Sequence, residues 1–254
     1  MFPKMLTSAI GAGCVAWLLA AVLHFAFVQK YILLGEEYET GAAVHFGGVA
    51  PATGQDEAAA EAGHSHDAAE EGHTHDEAAA DHEHGTAEGN FTRDLWTTVF
   101  FGLVYVAYAL ILVAGFGLAR VYGKVITARE GLLWGIAGFA AFQLAPAMGL
   151  APELPGTLAA DLGERQVWWW GTAASTAVAL GLLAYGRSLV TAALAVVLLA
   201  APHVIGAPEL EGFSGVAPPE VSAAFAARVL GVGLAVWALM GWVAGHLWAA
   251  DKPA

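Results

Sequence analysis

Six apolar blocks separated by polar breaks dominate the chain: residues 5–28, 97–119, 130–150, 168–185, 189–205 and 222–248. Most are close to the roughly 20 residues that a helix needs to cross a bilayer core. Gly, Ala, Leu, Val and Trp fill them in long uninterrupted runs. The pattern predicts an all-α, polytopic helical membrane protein with six transmembrane helices. The first block could pass for a signal peptide, but its apolar length exceeds a signal core of about 7 to 15 residues and no small-x-small site follows, so it reads as a retained span. Four segments result: a first transmembrane helix in 1–34, an external acidic, His-rich loop in 35–95, a five-helix transmembrane core in 96–250, and a cytoplasmic tail in 251–254.

Charge orients this arrangement. With the N-terminus cytoplasmic, Lys4, Arg120, Lys124, Arg129, Arg187 and Lys252 all lie inside, as the positive-inside rule requires. Both termini are then cytoplasmic, and the loops 35–95, 151–167 and 206–219 face outward. Trp96 and Trp168-Trp169-Trp170 fall at the outer interface, Trp134 and Trp248 at the inner one, as lipid anchors. Gly11, Gly13, Gly131, Gly135 and Gly138 mark close helix contacts. With ten Lys plus Arg against twenty-three Asp plus Glu, a basic nucleic-acid surface is absent. The single cysteine, Cys14, excludes intrachain disulfides and cysteine-based zinc sites, and reads as a packing residue.

The outer loop inverts the composition, holding fifteen of the twenty-three acidic residues and seven of the ten histidines. Within it the pairs His64/His66, His73/His75 and His82/His84 recur at a nine-residue step. Two residues apart, imidazoles share one face of an extended backbone, whereas a helix would turn them roughly 200° apart. Neutral imidazole suits borderline divalent metals, and the adjacent carboxylates add oxygen donors and negative potential. The segment is too poor in apolar residues to offset its ordering entropy, so its middle is expected to be disordered without metal.

A second repeat lies in the core. Residues 145–156 (APAMGLAPELPG) align without a gap to 201–212 (APHVIGAPELEG). Both copies end an outward-running helix, which suggests parallel two-helix repeats, three in all if the first two spans form a divergent copy. Pro146 and Pro202 near these helix ends free carbonyls that must be satisfied in protein or a wet cavity. Glu153 and Glu209 fall at matching outer positions, where they could flank one entrance. Polar groups inside spans are functional candidates by default: His24, Gln143 and His203 toward the outside, Met240 and His246 toward the inside, forming a sparse donor ladder. Arg228 is expected to neutralise Glu220 or an acceptor on another helix.

No P-loop exists, because 117–124 ends in Gly-Lys with the wrong spacing and Val125 follows. Neither a Gly-x-Ser-x-Gly nor a His-Glu-x-x-His pattern occurs, so hydrolase chemistry is not expected and the chain does not read as an enzyme. The stretches Gln143-Leu144-Ala145-Pro146, Gly149-Leu150, Pro152-Glu153-Leu154-Pro155-Gly156, Arg165-Gln166, Trp168-Trp169, Pro202-His203 and Ile205-Gly206-Ala207-Pro208 resemble the CbtA family of predicted cobalt transporter subunits. The resemblance implies a bacterial inner-membrane protein of cobalt uptake, linked to cobalamin synthesis and accompanied by CbtB, a small single-span partner with its own histidines. Glu153, Arg165, Gln166 and His203 match the family pattern.

These features lead to one expectation and two rivals. His64, His66, His73, His75, His82 and His84 gather a divalent transition metal, and His203, His24, Glu153 and Glu209 accept it at the mouth. Gln143, Met240 and His246 would lie further along the path, through weak serial sites. No cofactor is expected to be permanently bound; the metal is cargo. A non-transporting metal-binding or sensing accessory subunit is the first rival, and a haem enzyme using His24 and His203 as axial ligands the second. Residue types alone do not select cobalt, since imidazole and carboxylate sites bind nickel, copper and zinc comparably or better.

Overall fold

The computed structural model describes residues 2–45, 87–212 and 215–250; the histidine pairs of 64–84 and the tail 251–254 lie outside the described residues. Among the described residues the chain is helical, with no strand and one isolated bridge between Thr157 and Gly215. Helix α1 (Phe2–Leu23) passes through a π-helical turn (His24–Val28) into α2 (Gln29–Glu39). After α3 (Ala87–Val121), α4 (Ala128–Phe139) runs through a second π turn (Ala140–Leu144) into the short α5 (Ala145–Ala147). Then come α6 (Leu162–Tyr185), α7 (Leu189–Ile205) and α8 (Pro219–Ala250).

Four continuous helices are long and apolar enough to cross a membrane: Pro3–Glu39, Asn90–Val121, Leu162–Tyr185 and Pro219–Ala250. The protein is therefore a multi-pass helical membrane protein. The other two expected spans are helical but fall short of that standard. Helix α7 has only 17 residues, and α4 reaches α5 only through the π turn. The widened turn sits directly ahead of Pro146, whose ring would clash with the carbonyl four residues back in a regular helix.

Small residues decide which helices meet. Along α1, Ala9, Ala12, Ala16 and Ala20 form a buried stripe, and α1 lies between α3 and α8. A methyl on Gly13 would stand 2.8 Å from the Val106 backbone, so the backbones of α1 and α3 nearly touch. Trp17 fastens the same pair by donating its indole N–H to the Thr98 carbonyl at 2.6 Å. Helices α4 and α8 cross through two facing glycine pairs, Gly131/Gly135 and Gly241/Gly245. A methyl on Gly131 would stand 2.7 Å from the Gly245 Cα, and one on Gly241 2.6 Å from the Gly135 Cα. Phe116, Val236, Trp237 and Met240 fill the space among these helices.

The remaining two helices form a side unit. Helix α6 leans on the second π turn and α5, while α7 packs on α6 alone among the described residues. The hairpin expected from the repeat, α7 with α8, is thus not a packed pair, because the small residues of α8 are committed to α4 and α1. The expected segment boundaries at 34/35 and 95/96 also fall inside helices. Good helix formers such as Leu33, Leu34, Glu36 and Glu37 carry α2 on to Glu39, and α3 already begins at Ala87.

Candidate functional site

The loops between α5 and α6 and between α7 and α8 come together at one end of the helices and enclose a cavity of about 900 Å³. The Pro-Glu-Leu-Pro-Gly stretch builds its fixed wall. Leu154, 3% exposed, is buried with Val28 and Phe225, and Pro155 packs so closely on Gly35 that a methyl there would stand 3.0 Å from its ring. Gly156 has a φ of +78° and faces Val216 and Glu39, which suits a residue without a side chain. The second copy is not equivalent. Leu210 is 42% exposed, and Glu211 stands where the first copy has Pro155.

Both matched carboxylates line this cavity. Glu153 is ion-paired to Arg165 at 2.7 Å, while Glu209 is exposed. Glu220 at the start of α8 adds a third carboxylate, and His45 an imidazole. His45 was not singled out from the sequence because no second histidine lies two residues away; its only signal is membership of the His-rich loop. It is the last described residue before that loop continues toward His64. Among the described residues no three His, Cys, Asp or Glu side chains come close enough to hold a metal ion. The arrangement is an acidic vestibule lined by Glu153, Glu209 and Glu220, one of them ion-paired to Arg165.

The other candidates occupy separate surroundings. His24, in the first π turn, packs edge-on against Phe101 at 4.9 Å between ring centres. One turn on, Gln29 donates to Asp94 at 2.8 Å. His203 meets Trp168 edge-on at 6.0 Å, and Trp168 donates to the Pro202 carbonyl at 3.1 Å. Trp168 is consequently buried against α7; the lipid-anchor expectation fails for it because its indole N–H has a partner inside the protein. Gln143 points its side-chain oxygen at Gly233, where it is buried without a donor. Met240 is fully buried in the core, whereas His246 is exposed and stacks on Trp242 at 5.7 Å. Arg228 stacks over Tyr31 at 4.4 Å and donates to the Ala224 carbonyl at 3.0 Å; it pairs with no described acid. Glu153 and Glu209 are thus brought to one cavity, while His24, His203, Gln143, Met240 and His246 are not gathered into one cluster.

The ends of the helices also differ in charge. Lys4, Arg120, Lys124, Arg129 and Arg187 lie at the end opposite the vestibule, where the acids collect. A multi-pass helical protein with an acidic mouth is the class this defines, and comparison with known families narrows it. Residues 2–249 match the CbtA family, described as "Probable cobalt transporter subunit (CbtA)", and the chain belongs to that family. No curated protein and no solved structure matches it.

Proposed function

We propose that the protein takes up cobalt across the bacterial inner membrane, with the histidine pairs at 64–84 capturing the ion outside and the vestibule receiving it. The observation that carries this reading is the position of His45. It lines the cavity that Glu153 and Glu209 line, so the His-rich segment departs from the vestibule wall. Its acidic residues and those of the vestibule raise the local concentration of dications, and ions handed from imidazole to carboxylate meet weak sites that they can leave. All six helical segments cross the membrane in this reading: α7 spans about 26 Å at 1.5 Å per residue, near the ~30 Å core. Both termini and the basic loops then face the cytoplasm. A small single-span subunit of the CbtB kind is the expected partner, and cobalamin synthesis the expected destination.

Cobalt uptake into proteoliposomes and cells tests this, comparing the full chain with a variant lacking residues 63–84 and with Glu153→Gln/Glu209→Gln. Loss of the histidine pairs should raise the half-saturating cobalt concentration while sparing the maximal rate, and loss of both carboxylates should lower uptake at every concentration. The absence of any chelating cluster among the described helices favours one rival, an accessory subunit that only binds metal for a partner. Liposomes holding the full chain that bind cobalt but never accumulate it, with or without the partner, would establish that rival.

A further inference from the structure

A second cavity, of about 470 Å³, lies at the opposite, basic end between α6 and the α3–α4 pair. Its walls are small residues that do not meet: Gly115 and Ala141 on one side, Ala177 and Gly181 on the other, with Trp237 at its base. A methyl on Gly181 would find no heavy atom within 4 Å, so the slot is open where helices of this composition usually close up. From Glu130 on α4 to Phe142 in the second π turn it runs about 18 Å at 1.5 Å per residue, similar to the ~15 Å depth of one leaflet. Spread over that length, the volume makes a channel thinner than a helix of ~10–12 Å diameter. Ile111 and Leu133, 49% and 57% exposed, form lips that face outward.

The rim carries the complementary charge. Trp134 donates to the Tyr185 hydroxyl at 3.0 Å, and the Lys124 ammonium sits 5.3 Å from the Tyr185 ring centre. Arg129 is exposed in the first turn of α4. Neither Lys124 nor Arg129 has a carboxylate within ion-pair distance among the described residues. Glu130, the one acid lining the slot, is occupied: it accepts from the Thr127 backbone N–H at 3.2 Å and from the Thr127 hydroxyl.

We propose that this slot binds an anionic phospholipid, one acyl chain lying between α4 and α6 and the phosphate resting against Lys124 and Arg129. Apolar walls, an aromatic rim and two uncompensated cations at headgroup level are what such a molecule requires. The site is independent of metal transport.

Delipidated full-length protein in detergent, titrated with palmitoyl-oleoyl phosphatidylglycerol or phosphatidylcholine and followed by native mass spectrometry, tests it. Phosphatidylglycerol should bind about fivefold more tightly per cation engaged. Lys124→Gln should cut that preference about fivefold while leaving phosphatidylcholine binding unchanged, and Lys124→Arg should restore it. Gly181→Leu, which enters open space and so should fold, is expected to weaken both lipids. Equal affinity of the wild-type protein for the two lipids overturns the proposal, as does a Gly181→Leu protein that binds both undiminished.

Discussion

The crossing of α4 and α8 allows a sharp test of how the core is held. In Gly131→Ala the new methyl meets the Gly241 carbonyl and stands 2.7 Å from the Gly245 Cα, where carbon atoms prefer about 3.5–4.0 Å. Neither obstacle is a flexible side-chain tip, so the helices must part by roughly 1 Å. A gap of that size forfeits about a quarter to a half of each dispersion contact, and overpacking of this kind costs about 1–3 kcal/mol. Gly231→Ala provides the control on the partner helix α8: its methyl meets no heavy atom within 4 Å, and it gains up to about 1 kcal/mol of helix propensity. Tryptophan fluorescence during heating in detergent should place Gly131→Ala roughly 2–12 °C below the wild type, at about 2–4 °C per kcal/mol, and Gly231→Ala at or above it. If Gly131→Ala melts as high as Gly231→Ala, the glycine crossing is not what seats α4 on α8.

Three further outcomes follow from other contacts. Trp17→Phe removes the indole donor to the Thr98 carbonyl and should cost about 0.6–1.7 kcal/mol in the same melt, with the α1–α3 ring packing kept. Asp161 caps α6 by accepting from the backbone N–H groups of Gly163 and Glu164 at 2.8 and 3.1 Å; Asp161→Ala should cost about 0.5–2 kcal/mol and speed amide exchange at residues 162–165. Cobalt affinity of a peptide spanning 63–84 should fall as pH drops through about 6.5, because protonated imidazole cannot bind metal. Calorimetry that gives one affinity from pH 7.5 to 5.5 would rule out the histidine pairs as the capturing ligands.

Hydropathy made the helical segments legible, since each apolar block is helical over most of its length, although only four of the continuous helices are long and apolar enough to cross a membrane. Helix extent was less visible. Residues 29–39 are too polar to register as a span, yet their backbone bonds continue α1 without a break. The two π turns left no trace in the pattern, because one extra residue per turn does not alter composition over a window of ~20 residues. Gly131 and Gly135 stood out, but their partners Gly241 and Gly245 did not, although they show the same spacing. Pairing is a tertiary property: nothing within α8 says which helix its glycines face. For the vestibule, the internal repeat placed Glu153 and Glu209 together, whereas His45, without a neighbouring histidine, carried no local signature.

The two Pro-Glu-Leu copies, alike on paper, differ in what holds them. Leu154 is keyed into α2 and α8, so that side of the mouth moves only if the helices do, whereas Leu210 is anchored to little and its side can shift alone. The doorway has a jamb and a leaf. In the proposed uptake, the 206–212 segment is the side that would yield to an ion and its hydration shell, leaving the bilayer-embedded framework undisturbed.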